Sequence, residues 1–386
     1  MTTLRLTVPV GTRPEIIKLA PVIAALKQSG HRIRCVATGQ HYDAAMYFEI
    51  FAGVGLTPDA TWQLSGSEGE RLGQLLACAF HDLATQPADA VLVLGDTYTA
   101  PLFAMAARRF GAGVIHLEAG LRSQNARSVE EVNRQMMVAL ATLHLAPTPL
   151  AATFLAAEGI AAERVRVVGN PVIDAVVATG VCPTPLAARS GVLLTAHRAT
   201  NVDSPERLQE LVRLIRALGA RYPTVLLPLH PRTRDRLERA GWLDEVWSAP
   251  GVRVCAPLPY TELLTALSAS QIVVTDSGGL QEEAAFFGVP VVVMRHSTPR
   301  WEGVAEGSTL LTGLHCARVL AAVERLTEQA ELTRVASLPC PYGDGTTARQ
   351  VCRALAEPVV RELLSPREPP FDPARPLPHL PRIKQA

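Results

Sequence analysis

The stretch VTDSGGLQEEAAFFGVPVVVMRHSTPRWE, residues 274–302, decides how the chain is read. A strand-like run at 271–275 stops at Asp276-Ser277-Gly278-Gly279. A helix-forming segment follows at 280–287, Gly288 and Pro290 close it, and an apolar run covers 289–294. Strand, tight turn, helix, strand is one βαβ unit with a glycine pair at its first turn. Backbone N–H groups at such a turn are free at a helix N-terminus, with the positive end of the helix dipole behind them, which suits a diphosphate. Ser277 adds a hydroxyl. Glu282 and Glu283 fall on the first helical turn, where a carboxylate can hold the two hydroxyls of a ribose. Arg295 and Arg300 follow the next strand and can neutralise phosphate charge. A lone Ser-Gly-Gly turn is more often an ordinary helix cap. Acids and arginines at both strand ends tilt this one toward a nucleotide.

Working outward, 386 residues with 48 % hydrophobic and 19 % charged content are enough for two domains with large cores. Lys and Arg number 37 against 36 Asp and Glu, a net charge of +1, so nothing points to nucleic acid or to a membrane surface. The first strand-like run, 4–10, begins at once, with no leader pattern before it. Seven scattered cysteines without a CxxC pair fit reduced thiols in a cytoplasmic protein and no zinc frame.

Strand-like and helix-like segments alternate throughout. Strands are expected at 6–10, 33–38, 90–94, 114–117 and 165–168, then at 191–195, 225–229, 252–255, 272–275 and 289–294. Helices are expected at 14–28, 207–218 and 280–287. The pattern predicts an α/β fold of two Rossmann-like, doubly wound parallel-sheet domains facing across a cleft lined by strand C-termini. The expected boundaries are 1–172 and 173–348, with the connection among the prolines of 170–189. A last helix is expected at 349–364 and an irregular, proline-rich tail at 365–386.

The chemistry-bearing residues sit just after strands. Arg13 and Lys18 follow the first strand, with Pro14 suited to a helix start. Asp96 follows the strand-like run 91–95. Glu118 interrupts an apolar stretch and should be partly buried. Arg122, Arg127, Glu130, Glu131, Asn133 and Arg134 follow in a polar loop and helix start, a pattern that a surface salt-bridge cluster shares. In the second half His197 and Arg198 end one strand and His230 ends the next. There is no HxH, HExxH, P-loop, GxSxG or complete GxGxxG. These residues describe a cleft enzyme acting on a nucleotide-linked small molecule, with Asp96, Glu118 and Glu130 as candidate acids and bases. They do not separate a nucleotide-sugar isomerase from a two-domain glycosyltransferase.

The stretches GTRPEIIKLAPVI, TGQHYD, LGDTYTA, HLEAGLRS, EEVNRQ, VVGNPVIDA, TAHR, LPLHP, TDSGGLQEEA and PYGDG occur in this order. In them the chain resembles the non-hydrolysing UDP-N-acetylglucosamine 2-epimerases, in their archaeal-type branch, which share a GT-B-like fold with two-domain glycosyltransferases. The resemblance implies interconversion of UDP-N-acetylglucosamine and UDP-N-acetylmannosamine through anti elimination of UDP and its re-addition. It implies Asp96, Glu118, Glu130 and His197 as catalytic residues. Substrate and UDP would fall to Arg13, Lys18, Arg198, His230 and Arg300, with Ser277, Gly278 and Gly279 on phosphate and Glu283 on ribose. It further implies no metal or other cofactor, a homodimer, and a last helix that crosses back onto the first domain. The chain departs from the family pattern at Val129, Val138, Thr200, Pro299 and Trp301. Thr200, Pro299 and Trp301 are expected to reshape the sugar or nucleotide pocket, with Trp301 near the diphosphate. A different nucleotide sugar is one consequence of that. A glycosyltransferase using a UDP-sugar donor would leave the three carboxylates without a role, and a non-catalytic nucleotide-sugar-binding protein is the third reading.

Overall fold

In the computed structural model the described residues are 3–39 and 50–365. Residues 40–43 of TGQHYD and the tail from 366 lie outside them. Among the described residues the first half contributes β1 (Arg5–Val10), β2 (Arg32–Ala37), β3 (Ala60–Thr61), β4 (Ala90–Leu94), β5 (Gly113–Leu117), β6 (Leu143–Ala146) and β7 (Val165–Val167). The second contributes β8 (Val192–Thr195), β9 (Val225–Pro228), β10 (Val252–Cys255), β11 (Ile272–Thr275), β12 (Val291–Val293) and β13 (Thr309–Leu311). They form two sheets, in the orders β3-β2-β1-β4-β5-β6-β7 and β10-β9-β8-β11-β12-β13. Each pairing between neighbours is parallel.

Strand composition follows from this layering. Helices cover both faces, so a central strand such as β4, AVLVL, is buried at every residue and reads as a continuous apolar run. On one face of the first sheet Ile16, Leu19 and Ile23 of the helix Arg13–Gln28 pack against Val8, Leu92 and Ile115. On the other, Phe103 and Ala104 of the helix Thr99–Arg109 cover Val91 and Val93. The second sheet is sandwiched likewise, with Leu211 and Ile215 on one side and Leu280 and Phe287 on the other.

The C-terminal segment differs from the sequence expectation. In place of one helix there are two, Thr347–Ala356 and Pro358–Leu363, separated by Glu357 at φ −65°, ψ 133°. Pro358 has no N–H to donate and excludes helical backbone at the residue before it. The first of the two packs its Ala348, Val351 and Leu355 into the core around β1. Its start is held by Asp174, whose carboxylate accepts the N–H groups of Thr347 at 3.0 Å and Ala348 at 2.8 Å. The strands β3, β6 and β13, two to four residues long, were not expected from the sequence. A run that short has no period to read.

Leu355 is fully buried in the first half's core. Leu355→Ala is expected to lower the unfolding free energy by about 2–5 kcal/mol, read by denaturant titration.

Candidate active site

Strand order reverses between β1 and β4 in one sheet and between β8 and β11 in the other, and ligands of such sheets bind at these reversals. The loops leaving all four strands open onto one cleft of about 460 Å³ between the halves. Every candidate residue lines it. From the first half come Arg13, Lys18, Asp96, Glu118 and Glu130. From the second come His197, Arg198, His230, Ser277, Gly278, Gly279, Glu283 and Arg300.

In the first half the turn after β1 is locked to the turn after β4. Buried Glu15 accepts the N–H groups of Gly11 at 2.6 Å and Thr12 at 2.9 Å, and the Thr97 hydroxyl at 2.6 Å. Asp96 is paired with Arg134, and its backbone carbonyl accepts from Asn133 Nδ2 at 2.8 Å. Burial opposes ionisation of Asp96, but the guanidiniums of Arg134 and Arg300 outweigh it and hold the carboxyl below its ordinary range. Glu118 is buried with φ +64°, a left-handed backbone that a side chain with a Cβ pays to adopt. Two glycines lie beside it: Gly95, at φ +67°, next to the Glu118 carboxylate, and Gly120, at φ +84°, where a Cβ would overlap the Ala151 carbonyl. Lys18 Nζ meets Glu118 at 2.5 Å and Glu282, from the other half, at 3.3 Å. Glu130 is half-exposed, bonded by the Ser128 hydroxyl and 3.9 Å from Arg198.

In the second half Asp276, fully buried, organises the loop after β8. It accepts the N–H groups of His197 and Arg198, the Asn201 amide at 3.1 Å and His197 Nδ1 at 3.2 Å. His230 stacks on His197 with ring centroids 5.1 Å apart. The helix Gly279–Phe287 points its N-terminus at the cleft. Gly278 has an ordinary φ of −76°, so space rather than conformation calls for glycine: a Cβ there would come 3.1 Å from Arg300 Nη1. Arg295 also lines the cleft, and its Nη1 is buried without a hydrogen-bond partner among the described residues. Burial and the neighbouring guanidiniums of Arg198 and Arg300 push its pKa down to about 10.

The two adjacent acids of the helix part company. Glu282 is fully buried and taken up by Lys18, Arg300 Nε at 2.9 Å and Asn170 Nδ2 at 2.9 Å, so it does not line the cleft. Glu283 does. It accepts the Tyr260 hydroxyl at 2.9 Å, and burial pushes its carboxyl up to about 7. Thr200, Pro299 and Trp301, expected to reshape the pocket, are not among the residues that line the cleft. Trp301 instead donates its indole N–H to the Arg122 carbonyl at 2.7 Å. The polar cluster at 122–134 is largely interior, with Arg122, Glu131, Asn133 and Arg134 each at most 5 % exposed. Sequence reasoning passed over Tyr260, although it follows the expected strand 252–255 and the rule that sites lie past strand ends reaches it.

The UDP-N-acetylglucosamine 2-epimerase profile matches residues 24–356. The chain belongs to the UDP-N-acetylglucosamine 2-epimerase family. The family's GT-B-like architecture is the one described above. A UDP-N-acetylglucosamine 2-epimerase of Methanocaldococcus jannaschii is 33 % identical over 367 residues, 91 % of this chain and 99 % of that one. A crystal structure of UDP-GlcNAc 2-epimerase from the same organism, in complex with UDP-GlcNAc and UDP, superposes with a TM-score of 0.81 at 32 % identity, covering 91 % of this chain and 99 % of that one. A UDP-2,3-diacetamido-2,3-dideoxy-D-glucuronate 2-epimerase of Pseudomonas aeruginosa is likewise 33 % identical, over 90 % of this chain and 98 % of its own length.

Glu283 gives a pH signature. Its carboxyl ionises near the ordinary 4.5 in the unfolded chain and near about 7 in the folded one. The folded state therefore binds the extra proton between these values, and the stability it contributes is full below pH 4.5 and lost as the pH rises to about 7. Relative to Glu283→Gln, wild-type stability is expected to fall by about 3 kcal/mol across that window, read by denaturant titration at each pH.

Proposed function

We propose that the protein interconverts UDP-N-acetylglucosamine and UDP-N-acetylmannosamine. The observation that carries this is the division of the cleft. Three carboxylates, Asp96, Glu118 and Glu130, enter from one half. A helix N-terminus with Ser277, Gly278 and Gly279, and the cations Arg198 and Arg300, enter from the other. A carboxylate removes the C2 proton of the sugar, the C–H electrons form a C1=C2 double bond, and the C1–O bond to the diphosphate breaks with its electron pair leaving on UDP. The product held in the cleft is a 2-acetamidoglucal. A proton then returns to the opposite face of C2 and UDP adds back at C1.

Each part of this sequence has a physical counterpart in the site. The C2 proton is weakly acidic, so the base works best in a shaped, water-poor site, and Glu118 and Asp96 sit where the two halves meet. Asp96, kept ionised by Arg134 and Arg300, is suited to accept a proton, with Glu118 and Glu130 completing the acid–base set. Developing charge on the leaving diphosphate faces donors already oriented for it, the helix end and the guanidinium of Arg300. Glu283, oriented by Tyr260, lies one helical turn from the phosphate donors, a position that suits the ribose hydroxyls.

A second reading rests on Arg295, whose buried, unpartnered nitrogen would suit an additional carboxylate on the sugar. The glucuronate-type epimerase at 33 % identity makes a UDP-linked uronate the natural alternative.

The test is incubation with UDP-N-acetylglucosamine alone in D2O, followed at C2 by NMR. Deuterium at C2 with the manno epimer appearing is the expected result. Glu118→Gln and Asp96→Asn are each expected to slow exchange by at least about 100-fold while remaining folded. Exchange with a diacetamido-uronate substrate and none with UDP-N-acetylglucosamine would select the second reading. No exchange with either would overturn both.

A further inference from the structure

Three successive residues, 300 to 302, each grip a different part of the molecule. Arg300 donates Nε to Glu282 at 2.9 Å and lies against Gly278 on the nucleotide side of the cleft. Trp301 donates to the Arg122 carbonyl at 2.7 Å. Glu302 accepts the Thr148 hydroxyl at 2.5 Å. Arg122 and Thr148 both belong to the first half, so the segment bridges the halves immediately beside a cleft cation.

The Arg122 end of the bridge is fixed. Its guanidinium is 3 % exposed, donates to both Glu158 oxygens at 2.6 Å, and also bonds the Leu121 carbonyl. The next residue, Ser123, gives its N–H and its hydroxyl to one oxygen of Glu131, each at 2.8 Å. Glu131 is bonded by Arg134 at 2.6 Å, and Arg134 is paired with Asp96. An unbroken path of bonds therefore runs from Trp301 through Arg122, Ser123, Glu131 and Arg134 to Asp96. Asp96 at one end of it and Arg300, the chain neighbour of Trp301 at the other, both line the cleft.

We propose that Trp301 is a positioning residue that sets the separation between the carboxylate side and the phosphate side of the cleft. The proposal rests on the epimerase reading for its catalytic consequence. In an elimination, proton removal at C2 and departure of the diphosphate from C1 are coupled, and a misplacement of about 1 Å between the groups that serve them costs on the order of 100-fold in rate. Trp301 touches neither, and acts through the Arg122 carbonyl on one side and its neighbour Arg300 on the other. A second consequence follows from closure. While UDP and the unsaturated sugar are both free of covalent linkage, only the closed cleft retains them, and a loosened bridge lets them escape.

Trp301→Phe keeps an aromatic ring and removes the N–H donor. The expected result is a fall in kcat of roughly 10-fold, the equivalent of one hydrogen bond. KM and UDP affinity should stay within about 2-fold of wild type. Free UDP released per C2 exchange event should rise, a leak that a merely structural residue would not produce. Hydrogen–deuterium exchange of unliganded protein should show faster exchange at 122–128 and none at β4 or β11. Unchanged kcat, leak and loop protection would overturn the proposal, as would a loss of rate accounted for wholly by a lower folded fraction. The loop measurement needs no substrate. A wild-type protein that fails to exchange C2 therefore sinks the epimerase reading, while an unchanged loop in Trp301→Phe sinks the bridge.

Discussion

The buried carboxylate of Glu282 ties the two halves to one another at the cleft. Glu282 has no exposed surface, and the groups that satisfy it come from both sides of the cleft: Lys18 from the first helix, Asn170 from the junction, Arg300 from the second half. A charge placed there is costly unless it is paired and fully bonded, and removal of one partner from such a cluster costs about 3–5 kcal/mol. The halves thus cannot separate at this point without stranding charge. Burial works against the ammonium of Lys18, yet Glu118 and Glu282 hold its pKa well above the usual lysine value. The same lysine that ties the halves fixes the carboxylate of Glu118 within the cleft.

The remainder of the site is a matter of unequal environments for like groups. Asp96, next to two guanidiniums, stays ionised, while Glu283, buried beside a tyrosine hydroxyl, is held near neutrality. One cleft thereby holds an ionised carboxylate and a second carboxyl that exchanges its proton near neutral pH. Backbone strain falls on a residue that lines the cleft. Glu118 occupies left-handed backbone between Leu117 and Ala119, which are fully buried and whose surroundings do not yield.

Both sheets repeat one topology, and both use the ends of the strands flanking the reversal. The first half supplies Asp96, Glu118 and Glu130 with Arg13 and Lys18, and the second supplies Arg198, Arg300 and a helix end with Glu283. A helix from the end of the sequence, Thr347–Ala356, is built into the core around β1 and held at its start by Asp174, a further tie between the two halves.

The sequence by itself determined the alternation of strands and helices, the glycine turn at 278–279 and the strand ends at which Asp96, Glu118, His197 and His230 stand. Local period, turn chemistry and the parallel-sheet rule are all carried by neighbours along the chain. Read from local pattern alone, it did not say which of two adjacent acids faces the cleft; only the family resemblance pointed to Glu283. Glu282 and Glu283 are about 100° apart around a helix, and only the packing of Lys18 and Arg300 against one of them leaves the other free for the cleft. Nor could it aim Trp301: the partner of its N–H is a carbonyl in the other half, and no local pattern encodes that contact. Short strands such as β13 were likewise settled by pairing with distant residues, whereas the break before Pro358 is local and could have been read from the proline itself. What lies within a few residues was written in the sequence, while the direction of each buried charge was decided by tertiary structure, because a buried charge must point at whatever compensates it.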